Sequence, residues 1–146
     1  MKKFELTSEF VTFLGKTLFR IKALVSFGDV AEGELGGFIE RENNLDQSGN
    51  AWVSGDAKVC GNAWVSGDAR VQNCRDYSAT SCFGSENRTT TFFRTKDGGI
   101  SVRCGCFYGT LREFREKVKE RHGDSRLAKE YLMLADLMEF RLSKDE

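Results

Sequence analysis

The chain has 146 residues, enough for one domain or two small units sharing a core, with 40% hydrophobic residues and twelve phenylalanines. Lys plus Arg total 22 and Asp plus Glu total 22, so the formal charge is zero. A generic nucleic-acid binder should be basic and a DNA mimic acidic, and no stretch approaches the ~20 apolar residues of a membrane span.

The N-terminus, Met1-Lys2-Lys3-Phe4, meets Glu5, Glu9 and Lys16 instead of an apolar run, so no signal peptide is expected. Five cysteines without a secretion signal favour a reducing cytosol and free thiols. Proline is absent, which leaves the turns to fifteen glycines and to Asn and Asp.

Residues 1–46 read as a β cap. Phe4, Leu6, Phe10, Val11 and Phe13 precede a turn at Leu14-Gly15-Lys16, and Leu18 to Leu24 alternates as a half-buried strand. Gly28, Gly33, Gly36 and Gly37 are expected to punctuate a loop ahead of Phe38-Ile39-Glu40.

Residues 47–76 carry a repeat of period six: Gln47 to Trp52, Val53 to Lys58, Val59 to Trp64 and Val65 to Arg70, with Val71-Gln72-Asn73 opening another. The nonapeptide GNAWVSGDA starts at Gly49 and recurs unchanged at Gly61. Val holds the first position and Ala the fifth, as strands with an aliphatic interior and tight corners require. Gly followed by Asn or Asp tolerates positive φ at those corners. Three hexapeptides per coil give under two coils, so capped ends are needed. In this register Trp52 and Trp64 point outward. They then either form an interface with another chain or pack beneath the C-terminal helices.

Residues 77–146 form the third zone, and a polar stretch from Asn73 to Thr90 spans its start. Thr91–Thr95 and Ile100–Cys104 flank Lys96-Asp97-Gly98-Gly99 as a hairpin. Thr110 with Glu113 makes a capping box for a helix whose stripe is Leu111, Phe114 and Val118. Gly123 suits its end, and Asp124 or Ser125 caps a second helix. There Leu127, Tyr131, Leu134 and Met138 form the apolar face, widened by Leu137 and Phe140. The expected fold is α+β: a short left-handed parallel β-helix between an N-terminal β cap and a C-terminal β-hairpin plus αα-hairpin.

Candidate chemistry is sparse. Gly84 to Thr91 is a ligand-loop candidate. Backbone amides at Gly84 and Ser85, the Arg88 guanidinium and the hydroxyls of Thr89 and Thr90 suit a phosphate, with Arg94 and Arg103 on the following hairpin. A solvated loop is the alternative. Cys104 and Cys106 share a strand face and could join Cys74 and Cys82 around zinc, but Cys-x-Cys spacing favours buried free thiols. The single histidine, His122, sits in the last turn of a helix, where imidazole complements the helix dipole. No catalytic residue, metal or cofactor is assigned.

The repeat resembles the hexapeptide-repeat superfamily, and the flanks are similar to small phage and prophage proteins in which a variable number of hexapeptides follows a fixed N-terminal segment. On the N-terminal side the matching residues are Leu18-Phe-Arg-Ile-Lys-Ala-Leu24, Phe27-Gly-Asp29, Gly36-Gly-Phe-Ile-Glu40 and Asn44-Leu45. On the C-terminal side they are Thr89-Thr-Thr-Phe-Phe-Arg94, Lys96-Asp97, Ser101 to Phe107 and Gly109-Thr110. The segment Ser78 to Phe83 departs from that pattern. The resemblance implies a non-enzymatic phage accessory protein in the cytoplasm of the infected bacterium. It would be a homo-oligomer that binds a host factor such as a defence protein, or a sponge for a nucleotide signal. Hexapeptide-repeat acyltransferases resemble only the repeat and have longer helices with a catalytic histidine.

Overall fold

The computed structural model describes residues 2–83, 88–104 and 107–143, except for the side chains of residues 81–83 and 88. β1 (Phe4–Phe13) and β2 (Lys16–Ala23) form an antiparallel hairpin. Its two-residue turn, Leu14-Gly15, takes φ angles of 52° and 77°, the positive pair that matches the twist of the flanking strands. β3 (Leu35–Ile39) pairs antiparallel with β2. Gly36 and Gly37 therefore lie within a strand, not in the loop the sequence suggests. The cause is a close approach: a Cβ on Gly36 would stand 2.5 Å from the Val53 carbonyl oxygen and 2.7 Å from the Trp52 ring.

The chain then coils. β4 (Trp52–Val53), β5 (Lys58–Val59) and β6 (Arg70–Val71) are two-residue strands. Parallel pairing sets Ile39 beside Val59, Leu45 beside Val65 and Val53 beside Val71. All six side chains are buried, each worth about 1.5–3 kcal/mol of transfer free energy. Ile39 and Leu45 thus take part in parallel pairing ahead of the hexapeptides. Backbone bonds join these pairs: Phe38 N donates to Ala57 O (2.9 Å), Asp46 N to Val65 O (2.9 Å) and Trp52 N to Ala69 O (3.1 Å). Each hexapeptide corner is a glycine at positive φ, from 62° to 74° at Gly49, Gly55, Gly61 and Gly67. The alanines two residues on are buried.

Four antiparallel strands follow in spatial order β10-β9-β8-β7: β7 (Tyr77–Phe83), β8 (Arg88–Arg94), β9 (Ile100–Cys104) and β10 (Phe107–Thr110). The sequence suggests only two of them. β7 lacks apolar alternation because it is an edge strand, and β10 is short and interrupted by Gly109. α1 (Leu111–His122) starts at the expected box: Thr110 Oγ1 accepts from Glu113 N (3.1 Å) and Glu113 Oε1 from Thr110 N (2.8 Å). Gly123 closes α1 at φ 58°, and Ser125 caps α2 (Arg126–Leu142) by accepting from Ala128 N at 3.2 Å.

Two cores share this sheet. One joins Phe4, Ile21, the coil interior and Phe93; the other joins Phe92, Val102 and the helices through Phe114, Tyr131, Leu134 and Met138. The mixed α+β chain thus ends in a helix pair laid on the sheet face opposite the coil. Leu137 and Phe140, expected to widen the buried face of α2, are 56% and 84% exposed.

Lys3 fastens the N-terminus to the coil. Its backbone amide donates to Gln47 Oε1 (2.7 Å), and its Nζ donates to Ala51 O (2.8 Å) and stands 4.7 Å from the Phe27 ring centroid. Burial brings the ammonium down from 10.5 to about 8, against an opposing pull from Asp46. Above about pH 8 the folded chain releases this proton while the unfolded chain holds it to 10.5, so stability rises with pH in that window. Urea titrations at pH 7.5 and 9.5 should show the wild type gaining stability relative to Lys3→Met. A gap that is constant or falls with pH would contradict the assignment. Phe93→Ala, which empties the coil side of the sheet, should cost about 3–5 kcal/mol in the same measurement, whereas Phe140→Ala should stay within about 0.5 kcal/mol.

Candidate functional site

Residues of the ligand-loop expectation diverge once folded. Ser85 lies outside the described residues, as does the side chain of Arg88. Thr89, the second residue of β8, is half-buried. Thr90 is fully buried on the helix side, and its hydroxyl donates to Cys104 Sγ at 3.2 Å. Thr91, one residue on, faces the coil and accepts from Trp64 N at 3.0 Å. Neither hydroxyl is presented to a ligand, which corrects the reading of Thr90.

Arg94 is engaged by three partners within the fold. Its Nε donates to Leu142 O (2.5 Å), Nη2 to Ser143 O (3.2 Å) and Nη1 to Asp76 Oδ1 (3.1 Å). It therefore ties the carbonyl end of α2 to the sheet, where a cation also complements the helix dipole. Asp76 is itself buried, and its other oxygen accepts from Gln72 N (2.8 Å) and Asn73 N (3.3 Å). This pair terminates the coil.

Arg103 points to the opposite face from Arg94. Its guanidinium lies 3.6 Å from the Trp64 ring centroid and 5.8 Å from that of Tyr108. Arg94 and Arg103 therefore do not converge.

The tryptophans also differ from the expected outward pair. Trp52 is only 2% exposed, covered by Phe27 in an edge contact with centroids 5.4 Å apart. It is excluded from an exposed interface by its own N-terminal segment, which wraps the coil; the C-terminal helices do not cover it. Trp64 is half-buried beneath Arg103. It lines a cavity of about 480 Å³ with Arg41, Glu42, Asn43, Asp46 and Asn62.

Cys74 is exposed, Cys60 and Cys104 are half-buried, and all three are free thiols. The Cys82 side chain and Cys106 lie outside the described residues. His122 stacks on Tyr131 at 5.9 Å with an interplanar angle of 25°.

Sequence reasoning does not isolate the apolar stripe on the outside of α2. Met133 (71% exposed), Leu137 and Phe140 recur at i, i+4 and i+7 with no covering element among the described residues. Beside them Arg115 of α1 bridges Asp136 and Glu139 at 2.7 Å each, which holds the two helices in register. The signal was present in the sequence: α2 is apolar over more than the half turn one core can cover. Among the described residues no helix is long and apolar enough to cross a membrane.

Arg94→Met should cost roughly 1.5–3 kcal/mol by thermal denaturation, because Asp76 and the two α2 carbonyls lose their donor. A loss below 0.5 kcal/mol, on the order of an ordinary surface substitution, would mean the network is not structural. No protein-family model matches the chain, and no curated protein matches it.

Proposed function

We propose that this chain is a non-enzymatic phage accessory protein that acts in the infected bacterial cytoplasm by binding a host protein, with an anti-phage defence component as the favoured class. The observation that carries a binding role is the α2 stripe. Three large apolar side chains stand exposed on one helix face, braced from behind by Arg115. Such a face suits helix-in-groove docking, in which i, i+4 and i+7 side chains anchor in an apolar cleft. The phage assignment rests on the resemblance of the segments that flank the repeat on either side.

The coil is read as a short left-handed parallel β-helix that acts as a rigid spacer. Three stacked parallel pairs and four positive-φ glycine corners support that reading. A nucleotide sponge built on the loop after the repeat is weakened, because Thr90 and Arg94 are engaged inside the fold. Homo-oligomerisation through the same α2 stripe is the competing use of this surface.

The experiment compares tagged wild type with the double variant Leu137→Asp, Phe140→Asp. The expected outcome is one host protein recovered at near-equal stoichiometry with the wild type and lost with the variant, at unchanged melting temperature. Phage carrying the variant should then plate poorly only on hosts that encode that protein. Retention of the partner by the variant would remove α2 as the docking face. A wild-type mass of two chains that falls to one in the variant would assign the stripe to self-association.

A further inference from the structure

The cavity beside Trp64 has features that the docking role leaves unused. It lies on the coil and is lined by no residue of α2. Its floor is rigid and internally satisfied. The buried Asn44 carboxamide donates to Gly61 O (3.1 Å) and Ala63 O (2.9 Å) and accepts from Arg41 N (2.9 Å). Gln47 Oε1 accepts from the amides of Lys3 and Phe4. None of these groups needs to rearrange to receive a guest.

The wall is aromatic and fixed. Arg103 lies flat on one face of the Trp64 indole, while the Trp64 backbone amide is held by Thr91. A guanidinium stacked on one face of an indole restrains it and occupies that face alone. At the rim stand the exposed side chains of Asn43 and Asn62, with the carboxylates of Glu42 and Asp46 close by. Carboxamides pair with the donor–acceptor edges of nucleobases, and carboxylates accept from exocyclic amino groups.

Charge narrows the class. The lining carries Arg41 against Glu42 and Asp46, one cation facing two anions. Arg41 is also 3.4 Å from Glu40, and Glu42 is 2.9 Å from Lys2, so neither is a free countercharge. With Arg41 and Lys2 already paired, the lining holds no free cluster of cations for a polyphosphate. The volume of about 480 Å³ falls within the range of small-ligand sites.

We infer that the cavity between Trp64 and the Arg41–Gln47 segment binds a purine nucleoside or its monophosphate, with the base stacked on the uncapped face of Trp64 and its edge read by Asn43 and Asn62. This site is independent of α2 docking. A host-protein partner can be absent while the nucleoside binds, and the reverse.

Isothermal titration with adenosine, guanosine, their monophosphates and ATP tests it on the full chain. At least one purine nucleoside should bind saturably and more tightly than ATP. Tryptophan fluorescence should change on binding, because Trp52 is buried elsewhere and Trp64 is the reporter. Trp64→Phe should retain binding by titration but lose the fluorescence change, and Trp64→Ala should weaken binding ~5-fold or more, the ordinary loss for a base–aromatic stack. Should Trp64→Ala fail to fold by circular dichroism, the rim variant Asn43→Ala, Asn62→Ala serves instead and should also weaken binding. No saturable binding by any purine, ATP binding more tightly than the nucleosides, or unchanged affinity in a folded Trp64→Ala or rim variant would each overturn the assignment.

Discussion

The structure depends on one strand that faces two cores. Successive side chains of a β-strand point to opposite sides of a sheet. On β8, Phe93 therefore enters the coil core and Phe92 the helix core. The same alternation sends Thr91 to the coil and Thr90 and Arg94 to the helices. A one-residue slip of β8 would exchange both sets at once, turning Thr91 toward the helices and Arg94 toward the coil. The two halves of the chain are thus held in a single register.

The last of the short parallel strands has no successor to satisfy its edge. Here the sheet takes that role with side chains. Tyr77 donates its hydroxyl to Lys58 O (2.8 Å), Thr91 accepts from Trp64 N, and Asp76 accepts from Gln72 and Asn73. Burial pushes the Tyr77 phenol up to about 12, so it remains a donor throughout the neutral range. At the other end Lys3 Nζ donates to Ala51 O, and Gln47 Oε1 accepts from the amides of Lys3 and Phe4. Polar side chains matched to backbone groups thus meet the repeat from both sides.

How much of this was legible depends on the kind of signal. The hexapeptide period gave the buried Val and Ala positions and the glycine corners, because each is fixed by local geometry. The capping box at Thr110 and Glu113 was equally local. Ile39 and Leu45 were hidden as coil positions because Leu45 and Val53 are separated by eight residues, which breaks the period. Trp52 was misplaced since nothing local reveals that Phe27, twenty-five residues earlier, folds over it. Thr90, Arg94 and Arg103 looked like one polar site in sequence. Strand alternation then sent the first two to one side and the third to the other, so residues close in sequence ended up far apart in use.

The parallel pairing of Val53 with Val71 spans eighteen positions, or three hexapeptides. The N-terminal segment reaches both strands of this pair, since Phe27 covers Trp52 and Asp29 is bonded to Arg70. Residues inserted between Trp52 and Arg70 would part the two contacts, so the wrap itself limits the length of repeat that it can cover.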